Sequence, residues 1–314
     1  MAVELSPPKF PTRGKDHAFF NLRNYEDVDD KSLSGLAAQY SIPTNWRTLE
    51  EQPLTAQSIV DMFANTIPVI RHKAFLTRDE LRTLLAIARS HNLGEYDTEF
   101  TWPRVGTIGI TQYDHMRDPQ GYFDKVHSAM SLQDRWRSEA GIDILQRVID
   151  ILSKTSSMPV RRAREAEQEY FAGIVRAVDR GINVHADYAP YEAATWSIEN
   201  IVGQLTWNIL LNEVPGGDTL IYDRQWRAPK DDEAWRKVFP RDSYHPQMLE
   251  GHPFKAMRAT AGDLTIFNSR NFHEVKACDT SREHPVAATR LTVSSFIGYM
   301  PAKGDSPAAL VLWS

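Results

Sequence analysis

Cysteine is almost missing from this 314-residue chain, in which Cys278 stands alone. That excludes an internal disulfide and any multi-cysteine zinc or iron–sulfur centre. Long apolar runs are missing too; none approaches the roughly 18 residues that span a bilayer. Positive charge is in deficit, with 36 Lys and Arg against 41 Asp and Glu and a formal net charge of −5. A general nucleic-acid binder usually carries a basic face, which this balance does not supply. The opening residues, MAVELSPPKFPTRGKD, contain early prolines and no apolar segment of the kind a secretory signal needs. There is no P-loop, no glycine-rich dinucleotide motif, no nucleophile elbow and no internal repeat. The expectation is a cytoplasmic protein that meets a small molecule rather than nucleic acid or membrane.

What is present suffices for a large core without staples: 42% of residues are hydrophobic and 25% charged. Residues 1–53 are rich in Pro, Asp and Asn and read as an extended N-terminal arm, and residues 54–314 as a single catalytic domain. Within it, 54–165 forms a helical buttress. Thr55–Asn65 is helical, Pro68–Phe75 a short strand, and Thr77 caps a helix that stops before Gly94. Gly106–Tyr113 alternates as a strand, and Tyr122–Ser153 is helical with a break near Gly141. From about 166 to 302 the pattern changes to strands and turns, with strands over 171–179, 181–188, 204–211, 219–223, 263–268, 272–276 and 290–299. Pro215-Gly216-Gly217-Asp218 and Ala261-Gly262-Asp263 punctuate them. The fold class is α+β: a jelly-roll or cupin-like β barrel buttressed by N-terminal helices.

Three features carry chemistry. His185-Ala-Asp187 lies in a β-patterned stretch, where alternate side chains share a face. The two would project together with Cβ atoms roughly 6–7 Å apart, a separation suited to one octahedral metal. Alone, a His-x-Asp arises by chance in a chain this long. His273 opens a later strand after a Gly262-Asp263 turn; an imidazole from that strand would complete a two-histidine, one-carboxylate triad. Arg290 heads a strand in which Thr292 and Ser294 share its face. An inward guanidinium needs an anion, and a planar cation beside a hydroxyl suits a carboxylate; a structural salt bridge is the plainer reading of Arg290 by itself.

Taken in order, His185-x-Asp187, Leu210–Thr219, Gly262-Asp263-Leu264, His273-x-Val275 and Arg290-x-Thr292 resemble the iron(II)/2-oxoglutarate-dependent dioxygenase superfamily. The likeness is strongest to its small-molecule branch of amino-acid hydroxylases and freestanding aliphatic halogenases, and covers about 170–300. The resemblance implies a double-stranded β-helix with Fe(II), 2-oxoglutarate and O2 as its reagents. It also implies iron ligation by His185, Asp187 and His273. Arg290 would grip the distal carboxylate of 2-oxoglutarate, assisted by Thr292 or Ser294. Asn208, if inward, would hydrogen-bond the cosubstrate; a core amide is the equal alternative. Arg282 competes with Arg290 but lies in a polar loop. Halogenating relatives replace the carboxylate with a small residue, so Asp187 points to hydroxylation, desaturation or cyclisation instead. A cupin metalloenzyme without 2-oxoglutarate and a non-catalytic binding module remain the alternatives.

Secondary signals are weaker. Trp207, Trp226 and Tyr222 either wall the pocket or belong to the core, the commoner fate of aromatic residues. Arg161, Arg162 and Arg164 form a solvated face or read an anionic substrate. Tyr113 and His115 stand where a strand would enter the barrel mouth. His245 and His252 flank prolines in a 240–253 loop with lid-like length. Cys278 is expected to be inert.

Overall fold

The computed structural model describes residues 42–96, 103–236, 243–279 and 289–314. Its helical part contains α1 (Ala56–Phe63), β1 (Ile70–His72), α2 (Arg78–Arg89), β2 (Gly94–Glu95), β3 (Gly106–Ile108), α3 (Pro119–Ala129), α4 (Ser131–Ala140) and α5 (Ile144–Ser156). Local chemistry sets these boundaries. At α2, Thr77 accepts from the Glu80 amide while the Glu80 carboxylate accepts from the Thr77 amide at 2.8 Å, a reciprocal capping box. The break near Gly141 is real: α4 ends there in the left-handed conformation, φ 68°, that glycine adopts without strain.

The β-rich part runs β4 (Val160–Arg162), β5 (Arg164–Glu165), β6 (Gln168–Glu169), β7 (Ile174–Ala177), β8 (Ile182–His185), a short α6 (Ala189–Glu192), β9 (Gly203–Leu210), β10 (Thr219–Gln225), β11 (Phe254–Met257), β12 (Leu264–Phe267), β13 (Asn271–Val275), β14 (Leu291–Met300) and β15 (Ala309–Trp313). The larger sheet has the order β1-β12-β9-β14-β7-β3-β2, with β15 pairing the second half of β14 and β4 lying parallel beside β15. The smaller sheet is β11-β10-β13-β8.

Alternation decides which face does what. On β9 and β14, Trp207, Ile209 and Val293 pack outward against Leu84, Trp136, Val148 and Leu152 of the helices. The alternate residues Thr206, Asn208, Thr292 and Phe296 face an interior shared with the smaller sheet. The result is the expected double-stranded β-helix with helices on one side.

Several strands are shorter than their apolar patterns. The 171–179 segment pairs only over 174–177, and the 106–113 segment leaves the sheet after Ile108 and becomes a 3-10 turn at Tyr113–His115. The 181–188 strand stops at His185. Six strands escape the sequence reading: the two- and three-residue β2, β4, β5 and β6, and the longer β11 and β15. β11 follows directly on the Pro- and His-rich 240–253 segment, and every residue of β15 is buried, so it lacks the polar alternation that marks a one-sided strand. Of the N-terminal arm, residues 1–41 lie outside the described residues.

Candidate active site

β8 and β13 are neighbours in the smaller sheet, and their register sets His185 directly opposite His273. The ring centroids are 4.1 Å apart. Asp187 is delivered differently from the expectation of strand alternation, since β8 has already ended. Its amide donates to the Ser269 carbonyl at 2.9 Å, and the Ser269 hydroxyl donates back to the Asp187 carbonyl at 3.2 Å. The two-residue extension is therefore pinned to the loop that leads into β13. Asp187 Oδ2 ends 4.0 Å from His185 Nε2 and 3.5 Å from His273 Nε2. One ligand atom from each residue lies within 4.8 Å of the others.

Both imidazoles are oriented by their own strands. His185 Nδ1 sits 2.8 Å from the Asn183 carbonyl and His273 Nδ1 2.9 Å from the Asn271 carbonyl. A carbonyl only accepts, so each Nδ1 carries the hydrogen and each Nε2 lone pair is free for a metal. Burial, with the adjacent His185, holds His273 well below the usual histidine value. Two imidazoles and one carboxylate around a shared focus fit a ferrous ion and leave coordination positions for other ligands.

Two cavities meet at this focus. The inner one, about 130 Å³, reaches from His273 to Asn208, Thr206, Thr265, Thr292 and Arg290. The outer one, about 140 Å³, extends to Tyr96, Gln112, Tyr113, Asn183, Glu192 and Arg236. Arg176, Ile182, His185, Asp187 and Phe296 line both.

Arg290 is 4% exposed, and among the described residues its Nε has no hydrogen-bond partner. Its amide, by contrast, is anchored on Asp179 Oδ1 at 2.9 Å. Burial pulls the guanidinium below its ordinary value, against the opposing pull of Cys278, Asp218 and Asp179. A buried guanidinium that lines a cavity, with no ion pair among the described residues, is the expected signature of an anion-binding group.

The other expected residues divide. Asn208 lines the inner cavity on the same face as Thr206 and Leu210, as its parity requires, and Thr292 faces the same space. The Ser294 hydroxyl instead accepts from Arg176 Nη1 at 2.5 Å. Arg282 lies outside the described residues. Tyr113 lines the outer cavity, whereas His115 turns to the Thr111 carbonyl and Lys125 Nζ, each at 3.1 Å. Trp207, Trp226 and Tyr222 are core residues, and Arg162 and Arg164 pair with Glu169. His245 and His252 line neither cavity. The Cys278 thiol is buried and donates to the Val178 carbonyl at 3.5 Å. The sequence reading missed Arg176 and Tyr96. For Arg176 a signal existed: a lone arginine in Ala172-Gly-Ile-Val-Arg-Ala-Val178, an otherwise apolar strand.

Residues 44–300 match the family model described as carrier-protein-independent halogenase WelO5, and the chain belongs to that family. It is thereby an iron(II)- and 2-oxoglutarate-dependent oxygenase of the group that acts on small molecules. It is 40% identical over 222 residues to leucinostatins biosynthesis cluster protein S of Purpureocillium lilacinum, covering 70% of this chain and 90% of that one. It is 25% identical over 278 residues to L-gamma-glutamyl-L-propargylglycine hydroxylase of Streptantibioticus cattleyicolor, covering 85% and 95%. Among solved structures, the N-substituted L-amino acid dioxygenase of Burkholderia ambifaria superposes with a TM-score of 0.52 at 13% identity, over 82% of this chain and 91% of that one. That likeness concerns the fold. No helix among the described residues is long and apolar enough to cross a membrane.

Proposed function

We propose that this chain hydroxylates an aliphatic C–H of a small molecule derived from an amino acid, with release of succinate and CO2. His185, Asp187 and His273 are the iron ligands in this reading, and Arg290 anchors the distal carboxylate of 2-oxoglutarate. The observation that carries it is that the His-Asp-His focus and the buried Arg290 guanidinium line one cavity. The hydroxylase relative, named for a γ-glutamyl amino acid, supports the substrate class. The matched family is described as a halogenase, but a carboxylate at Asp187 occupies the place that chloride would need at iron.

When bound, the ferrous ion with 2-oxoglutarate and O2 supplies the oxidising power for C–H cleavage. The chain's own residues bind and orient. Arg290 offers a fixed planar fork, and Thr292 and Asn208 offer neutral polar groups along the same wall. Phe296 and Ile182 line both cavities and would supply apolar surface that limits water beside the reacting carbon. A cupin without 2-oxoglutarate has no need for a buried arginine aimed at the metal side.

Anaerobic titration tests the reading. Fe(II) with 2-oxoglutarate should produce a weak visible charge-transfer band. Arg290→Met should raise the 2-oxoglutarate requirement thirtyfold or more, since truncating one side of a buried charge pair costs about 2–5 kcal/mol. Iron affinity should change far less. Absence of the band, or an unchanged cosubstrate requirement in Arg290→Met, would overturn the assignment. Succinate release across a panel of aliphatic amino acids and their derivatives would then identify the substrate.

A further inference from the structure

Arg176 is a second cationic group on the cavity wall, and the reading above gives it no task. It stands where the two cavities join, beside His185 and Asp187. On the strand ladder it opposes Thr292, two places along from Arg290, so both guanidiniums belong to one inner face. Their surroundings differ. Arg290 lines the inner cavity, while Arg176 also reaches the outer one.

The guanidinium of Arg176 is held rigidly but not neutralised. Its Nε donates to the Tyr96 hydroxyl at 2.9 Å and its Nη1 to the Ser294 hydroxyl at 2.5 Å. Its carbon lies 5.8 Å from the centre of the Tyr96 ring. These partners are uncharged, and among the described residues no carboxylate lies within ion-pair distance of it. A half-buried cation fixed by neutral groups is poised for an anion that arrives later.

We propose that Arg176 binds a carboxylate of the prime substrate, so that the substrate class is small aliphatic carboxylic acids. The carboxylate would dock at the junction while the aliphatic chain meets the metal from the outer cavity. This inference rests on the oxygenase reading of the site. It goes beyond that reading in assigning substrate charge and the residue that reads it.

The test uses the full chain loaded anaerobically with Fe(II) and 2-oxoglutarate, whose visible band responds when a molecule binds beside the metal. The probes are N-acetyl-L-leucine and N-acetyl-L-leucinamide, which differ in the carboxylate and little else, with the valine and norvaline pairs alongside. The acids should perturb the band at concentrations at least tenfold below their amides. In Arg176→Met that preference should vanish while the 2-oxoglutarate titration stays within twofold of wild type. Arg176→Lys, which keeps the charge, should retain part of the preference and guards against loss of folding in the methionine variant. Equal responses to acid and amide, including no response to either, overturn the proposal. So does a preference that survives in Arg176→Met, or a cosubstrate requirement that rises as it does in Arg290→Met. Failure of the wild-type protein to form the band at all sinks the oxygenase site itself, and is thus separable from failure of Arg176.

Discussion

If Asp187 is a ligand as proposed, this one carboxylate would set what class of group the site transfers. Asp187 is held by its backbone rather than by a long strand, through paired bonds with Ser269. Shortening its side chain should therefore leave the local fold in place and change the donor set alone. Even groups outside the coordination sphere are worth 10–100-fold in metal affinity or activity. Loss of a direct ligand should cost at least about 100-fold. Asp187→Ala is expected to show that loss in coupled succinate formation. Asp187→Gly with added chloride adds a sharper measurement, product mass, because the vacated position would admit a halide if Asp187 is a ligand. Undiminished hydroxylation in either variant would remove Asp187 from the ligand set. The residue scale also shows what sequence can carry. Arg290 was legible because Thr292 and Ser294 follow it at period two. Arg176 had the same lone-cation signal, but its partners are Tyr96, 80 residues earlier, and Ser294, 118 residues later.

The turn between β9 and β10 shows how a short element tunes the site. Pro215-Gly216-Gly217-Asp218 was read as punctuation and as part of the family-like 210–219 segment, with no contact to the site assigned, yet Gly217 lies against Arg290. A Cβ there would sit 2.7 Å from Arg290 Cδ and Nε and 3.3 Å from Cys278 Sγ, at a φ of 76° that side chains rarely adopt. Gly216 is as tightly enclosed, but by backbone atoms of residues 277–279. The two alanine variants should therefore separate. Both should lose roughly 1–3 kcal/mol of stability, but only Gly217→Ala should also displace the guanidinium and raise the 2-oxoglutarate requirement several-fold. Matched thermal melts and anaerobic titrations would show it; an equal cosubstrate effect in both would deny the contact a role. The segment entering β11 carries a different device. Burial and the charges of Arg224 and Arg227 push His252 from the usual 6.5 down to about 4, although its bond to the Asp223 carbonyl opposes them. The unfolded chain therefore takes up the proton first. Stability from this group is intact above about pH 6.5 and is lost as pH falls toward 4, amounting to about 2 kcal/mol at pH 5. His252→Gln lacks that loss, so the stability gap between wild type and variant should narrow by about 2 kcal/mol between pH 7.5 and 5. A gap that does not move with pH in denaturant titrations would contradict it.

Across the whole molecule, the readable quantities were local and the hidden ones were contacts between distant segments. Periodicity and turn residues marked most strands of both sheets, because one face of each is apolar and the other looks into the cavities. Nothing local marks where residues 42–53 attach. In the structure, Thr44 Oγ1 and the Asn45 amide donate to Asp223 Oδ2 at 2.6 and 2.7 Å, across 179 and 178 residues. Asn65 Nδ2 donates to the other oxygen at 3.2 Å, and Trp46 packs beneath, 5% exposed. Asp223 belongs to β10 but lines neither cavity, so its carboxylate joins the segment before α1 to the smaller sheet without touching the proposed chemistry. Asp223→Ala leaves the buried Asn65 amide and the more exposed donors of Thr44 and Asn45 without their acceptor and should cost about 1–3 kcal/mol, the range for stranding a buried hydrogen-bonding group. The Fe(II)/2-oxoglutarate band of the folded fraction should keep its position and its cosubstrate dependence. Chemical denaturation would report the first effect and anaerobic spectra below the transition the second. A variant that lost cosubstrate binding while still folded would mean that the N-terminal anchor and the metal site are coupled through β10, whose Ile221 pairs with His273 in the sheet.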